Sequence, residues 1–145
     1  MAAEHMTTGL IGAPIRRVED KPLITGKGCY VEDIQLPGML HLAFLRSPYP
    51  HAKIVSVDTS AAKSMPGVVA VVTGADLSES LRIPAVPMVP GMKIPPHPLL
   101  ARGAVHAVGT PVAAVVAESR ALAYDVVAAI GVEYQALPSV VSAEE

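Results

Sequence analysis

Between residues 78 and 101 six positions are proline: Pro84, Pro87, Pro90, Pro95, Pro96 and Pro98. Each removes a backbone donor and locks φ, so neither a helix interior nor a central strand can run through the segment. Regular structure in this chain of 145 residues must lie on either side of a long irregular excursion. Loops of that length are usually functional or packed against a partner.

Before the excursion, "GCYVED" (28–33) reads as a short strand, and Pro37-Gly38 as a turn. Leu40, Leu42 and Phe44 then alternate with His41 and Ala43, which predicts a half-buried strand with His41 on the face opposite the large apolar residues. "AKIVSV" (52–57) is a further strand, β-branched at Ile54, Val55 and Val57. Asp58 is placed to cap a short helix over "TSAAKSM", because its side chain accepts hydrogen bonds from the unpaired first-turn N–H groups, worth about 1 kcal/mol. Pro66-Gly67 ends that helix, and "VVAVV" (68–72) is a continuous run expected at the buried centre of a sheet. After the excursion, "VAAVVAE" (112–118) is a second buried strand. Ser119 caps the best helix in the chain, with Leu122, Val126, Ala129 and Ile130 on one face and Gly131 as its stop. "VEY" and "SVV" return as edge strands, and residues 7–27, without periodicity, read as an extended arm. These elements predict an α/β (α+β) fold over residues 11–145, a mixed β-sheet with two main helices and a long proline-rich loop at about 78–101. Residues 1–10 are expected to form a flexible N-terminus.

Composition narrows the function. Hydrophobic residues make up 51% of the chain and charged residues 17%, below the roughly 25% of an ordinary soluble domain. Small apolar surface is therefore left over, as in a piece of a larger assembly. A net charge of −2 without basic runs excludes a nucleic-acid partner. The longest apolar runs fall far short of the roughly 20 residues that span a bilayer, so no membrane span is expected. "MAAEHMTTGL" lacks the features of a signal peptide, and a cytoplasmic location is expected. Cys29 is the single cysteine, whereas an iron–sulfur cluster normally takes four thiolates.

Four stretches invite a chemical reading. In "LRSPYPHAKI" (45–54) Ser47 and His51 lie four apart, yet Pro48 and Pro50 disfavour helix in the residues before them, and no G-x-S-x-G elbow surrounds the serine. The stretch reads as a corner between two strands, with Arg46 and His51 as candidates to anchor it and Ser47 bonded to local backbone. The five histidines show no H-E-x-x-H or H-x₃₋₅-H spacing, so no metal site is expected from this chain alone. "TGKG" (25–28) lacks the first glycine of a phosphate loop and continues with Cys29. "GMKI" (91–94) is similar to the tip of a carrier hairpin, but Lys93 sits among prolines that forbid the flanking ladder. The charged group Arg16, Arg17, Glu19, Asp20 and Lys21 reads as a solvated loop or as an arm pairing with a neighbouring subunit.

Taken in order, R-x-E-D…L-x-T-G-x-G-x-Y-x-x-D, L-P-G-M-L-H, R-S-P-x-x-H-A-x-I, D-x-S-x-A, P-G-V-x-A-V-x-T-G-x-D-L, V-G-x-P-V-A-x-V-V-A-E and V-E-Y-x-x-L-P resemble the N-terminal α/β-hammerhead domain of molybdenum hydroxylase large subunits. That is the family of xanthine dehydrogenase, aldehyde oxidase and aerobic carbon monoxide dehydrogenase. The resemblance covers roughly residues 11–143. It implies an oxidoreductase complex that puts a water-derived oxygen into a substrate C–H bond, or oxidises carbon monoxide, with electrons leaving through [2Fe–2S] clusters to FAD. Implied partners are the catalytic molybdenum-binding polypeptide, an FAD subunit and an iron–sulfur subunit.

In the family the pterin loops and the glutamate base come from the longer segment after this domain. The resemblance therefore places no catalytic, cofactor-binding or metal residue on this chain, and no cofactor bound by it alone. It leaves Arg46, Ser47, His51, Gly109, Thr110 and Pro111 as structural or interface candidates. The family often carries an aromatic residue before V-G and an acid or amide after it, where this chain has Ala107 and Thr110. The competing reading is a stand-alone, non-catalytic binding or carrier module, modified at Lys93.

Overall fold

Residues 111–117 carry no polar side chain, and they form the middle strand of a sheet. A computed structural model describes residues 12–142 and 144. The chain divides into two units, Met1–Pro37 and Gly38–Glu145. The second contains β1 (His41–Arg46), β2 (Ala52–Asp58), α2 (Ser60–Ser64), β3 (Val68–Thr73), β4 (Ala104–Val105), β5 (Pro111–Ala117), α3 (Arg120–Ala128) and β6 (Gly131–Ala136). The first holds α1 (Asp20–Ile24) and a 3-10 turn at Val31–Asp33.

The fold class is α/β, but the strands build two three-stranded sheets, β1-β5-β3 and β4-β2-β6, in place of one mixed sheet. Every pairing is antiparallel. The inner face of the first sheet carries Val71, Ala113 and Val115, packed on Ala62 of α2 and on Val126 and Ile130 at α3. Val57 of β2 and Val132 of β6 pack on the same cluster, so the second sheet contributes to the same core. At α3, Ser119 caps as its position suggested, its Oγ accepting from the Leu122 N–H at 3.2 Å.

Several elements depart from the sequence reading. β3 is an edge strand, not a central one: β5 takes the middle, and a register shift between Val68 and Ala70 leaves Val69 54% exposed. β1 has the opposite phase, with Ala43 buried and Leu42 and Phe44 outward. The reason is the approach of α3, where Ala43, Ala117 and Ala123 meet in one cluster and only a methyl group fits between helix and sheet. The N-cap of α2 is Thr59, one residue later than expected. Asp58 accepts from the Ser60 N–H at 2.9 Å and from its hydroxyl, bonds that hold the exposed carboxyl below the usual range. Gly131 opens β6 and does not close α3, which ends at Ala128 with buried Ile130 leading straight into the next strand.

Residues 28–33 form no strand. The Asp33 carboxylate accepts from the Tyr30 N–H at 2.9 Å and closes a 3-10 turn. Part of the supposed extended arm is helical, with Pro22 in the first turn, where its missing donor costs little. Arg17 pairs with Asp20 at 3.0 Å on an exposed surface, a contact worth little to stability. The expected N-terminal segment 1–10 lies outside the described residues. "SVV" is not a strand either, since Pro138 cannot donate to a ladder.

Within 78–101 the backbone makes one isolated bridge, Arg82 to Pro98, beside a bond from the Ile83 N–H to His97 O at 2.8 Å. The segment ends in buried Leu100 and Ala101, and Ala101 presses on Gly74. A Cβ at Gly74 would collide with the Ala101 carbonyl oxygen. Gly74→Ala is expected to cost about 1–3 kcal/mol, as overpacking of a tight contact does, and a urea unfolding curve should show the lower midpoint.

Candidate functional site

The corner at residues 47–51 carries the chain from β1 in one sheet to β2 in the other. Pro48 and Pro50 forbid a continuing ladder, so the polar groups around them must be paired otherwise. Ser47 is 2% exposed. Its N–H donates to Thr110 O at 2.9 Å, and its carbonyl accepts from the Gly109 N–H at 2.8 Å. Its Oγ donates to Tyr49 O at 3.1 Å and accepts from the Tyr49 N–H at 3.0 Å. Arg46 Nη1 reaches across to Gly109 O at 2.9 Å, with the guanidinium 5.5 Å from the centre of the Phe44 ring.

The opposing turn is shaped by its own residues. Gly109 has φ +85°, a left-handed conformation that side chains resist, and the Thr110 hydroxyl donates to Ala107 O at 2.7 Å. The Pro111 carbonyl accepts from the Ala101 N–H at 2.8 Å and so holds the end of the proline-rich segment. On the other side of the corner, His51 Nδ1 lies 2.8 Å from Pro138 O. A carbonyl only accepts, so Nδ1 carries the proton in this contact. The Leu137 N–H returns a bond to His51 O at 3.0 Å.

Thus the structure brings Arg46, Ser47, Gly109 and Thr110 into one hydrogen-bonded cluster, with Pro111 continuing from it and His51 tied to a third segment. The Ser47 hydroxyl proton goes to a backbone carbonyl and the His51 Nδ1 proton to another, so these hydrogen bonds do not join the two side chains to each other. Sequence reasoning missed Tyr134, whose ring is 5.1 Å from that of Tyr49, and His106, 5.3 Å from His51. Pro138 was visible only as the last letter of V-E-Y-x-x-L-P. Burial pushes the Tyr134 hydroxyl above its usual pKa, against a smaller opposing effect of its hydrogen bond to Ser47.

A cleft of about 530 Å³ opens beside His51, His106 and Pro138, and its lining holds no arginine or lysine to meet a phosphate. Among the described residues no three His, Cys, Asp or Glu side chains gather as a metal site. These residues do not fit a pterin, an iron–sulfur cluster or a metal. Among them, too, no helix is long and apolar enough to cross a membrane. Lys93 lies in irregular backbone, not at the tip of a hairpin.

Residues 25–138 match the family described as aldehyde oxidase and xanthine dehydrogenase, a/b hammerhead domain, and the chain belongs to it. Among its relatives, the nicotine 6-hydroxylase large subunit of Paenarthrobacter nicotinovorans is 45% identical over 133 residues, 91% of this chain and 16% of that protein. The carbon monoxide dehydrogenase large chain of Afipia carboxidovorans is 43% identical over 131 residues, again 16% of its length. Quinoline 2-oxidoreductase from Pseudomonas putida 86 superposes with a TM-score of 0.81 at 48% identity, covering 90% of this chain and 17% of that one. The chain thus spans about a sixth of the length of these oxidoreductases.

Ser47→Ala, which removes both Oγ bonds, should lower stability by about 1–2 kcal/mol in chemical denaturation, and Gly109→Ala, forced into a left-handed φ, by roughly 1–3 kcal/mol. The pH dependence has a definite sign. Because the folded Tyr134 value lies above the ordinary 10.0, its contribution is complete below pH 10 and is lost as pH rises through the folded value. Tyr134→Phe should flatten the alkaline fall in thermal midpoint.

Proposed function

We propose that this chain is the N-terminal structural and assembly domain, or a split subunit, of a molybdopterin-dependent hydroxylase or dehydrogenase. In the whole enzyme, an aldehyde, a purine, an N-heteroaromatic or carbon monoxide is oxidised with incorporation of a water-derived oxygen, and the electrons released pass through [2Fe–2S] clusters to FAD. The chain alone is non-catalytic. Its partners are the polypeptide carrying the molybdenum–pterin cofactor and the FAD and iron–sulfur subunits, in the cytoplasm.

The observation that carries this reading is the match over residues 25–138 to a domain occupying about a sixth of oxidoreductase large subunits. The corner supports it: the Arg46, Ser47 and His51 side chains all bond backbone carbonyls, as architecture requires. Arg46, Ser47, His51, Gly109, Thr110 and Pro111 then position surfaces for assembly and touch no substrate. The irregular segment 78–101 lies against a partner in the same scheme.

Purified untagged from its native host, the chain should elute with a larger polypeptide, and the complex should contain molybdenum by elemental mass spectrometry. A metal-free monomer overturns the proposal.

A further inference from the structure

The first sheet has a second face that nothing among the described residues accounts for. Across the register, Leu42 lies opposite Val116, and Phe44 opposite Ala114; on the other side of β5, Ala70 lies opposite Val116, and Val72 opposite Ala114. These six residues share one face, and all are apolar. Leu42 is 58% exposed and Phe44 39%, while the inner face holds the core on α2 and α3. An antiparallel sheet with one solvated face alternates apolar with polar residues, whereas strands apolar on both faces belong to sheets covered on both. Among the described residues of Gly38–Glu145, α2 and α3 cover one side of the first sheet.

We propose that this outer face of β1-β5-β3 is the seat of the remaining polypeptide of the large subunit, which rests an apolar surface of its own on Leu42, Phe44 and Val116. The inference depends on the assembly reading above and names the surface that reading requires. Two observations select this occupant. None of its six paired residues carries a charged or hydroxyl side chain, so the patch suits a permanent, water-excluding contact and not a transient one. In addition, about five-sixths of each relative's polypeptide lies outside the segment matched here, all of it in the same large subunit or large chain. Arg46, over the Phe44 ring, marks the polar margin of the seat.

Carbene footprinting of the purified native complex reads the face directly, each residue's labelling being compared with that in the same complex denatured in urea. An open face retains labelling in proportion to the exposures of 58% and 39%, whereas a covered one retains roughly a tenth or less. Protection of Leu42 and Phe44 is the expected result. The neutral double variant Leu42→Gln, Phe44→Gln, whose polar side chains suit a solvated strand face, should yield at least about tenfold less molybdenum-containing complex, a loss of roughly 1.4 kcal/mol or more in association.

Normal labelling of Leu42 and Phe44 within a molybdenum-containing complex overturns the assignment of the face and leaves the assembly reading intact. Undiminished assembly of the double variant does the same. Absence of a larger polypeptide overturns both, and protection within an oligomer of this chain alone gives the face to a second copy.

Discussion

The structure depends on how closely α3 approaches the sheet beneath it. Ala113 and Ala117 of β5, Ala43 of β1 and Ala123 of α3 are all buried, and the last three form one methyl-lined contact. Interiors are packed as densely as organic crystals, so a larger side chain at any of these positions has no space to enter. That restriction sets the phase of β1. Once Ala43 must face the helix, Leu42 and Phe44 are driven to the other side by the two-residue period of the strand. The apolar outer face is thus a consequence of the tight inner one.

The corner solves a different problem. Two antiparallel sheets that share the cluster of Val57, Val71, Val115 and Val132 need rigid crossings to hold their register, and residues 47–51 are one short crossing, as 106–110 are another. Pro48 and Pro50 restrict the backbone, but they also remove two donors, and the compensation comes from distant segments. Ser47 exchanges two backbone bonds with residues 109 and 110, and His51 binds residues 137 and 138 through both its ring and its carbonyl. Polar side chains in this stretch are therefore used for closure. A serine and a histidine four residues apart look catalytic in a linear sequence, yet here both side chains bond backbone carbonyls.

What could be read from the sequence was local. The six prolines predicted an interruption of regular structure, the period of Leu122, Val126 and Ile130 predicted α3, and Ser119 was recognisable as its cap. What could not be read required a choice between equal apolar patterns. "VVAVV" and "VAAVVA" are both compatible with the centre of a sheet, and only the pairing of β5 with strands on both sides decides which takes it. Leu40 to Phe44 is apolar at every position but His41, so hydrophobic alternation could not reveal which face is buried. Asp58 lay one residue from its expected place because Asp, Thr and Ser in succession all suit a cap, and the carboxylate bonds to Ser60 in a turn of its own. In the corner the prolines were informative, while Tyr134 and Pro138 were hidden because their proximity is a product of topology across more than eighty residues.

The low charge content follows from the same geometry. A domain of this size with one sheet face solvated would place lysine, glutamate and threonine at the outward positions of β1, β3 and β5, raising its charged fraction toward that of ordinary soluble proteins. Instead those positions hold Leu42, Phe44, Ala70, Val72, Ala114 and Val116, and the charge remains at 17%. Composition and face are two expressions of one fact: the strands carry the pattern of a sheet enclosed on both sides. An apolar surface of this kind left open is a liability for association with the wrong partner, and the edge strand β1, bearing both Leu42 and Phe44, would be its most adhesive part. A cover that is always present removes that liability. In the relatives, where the matched segment is about a sixth of a large subunit, the rest of the same polypeptide is tethered at an effective concentration that no separate partner reaches.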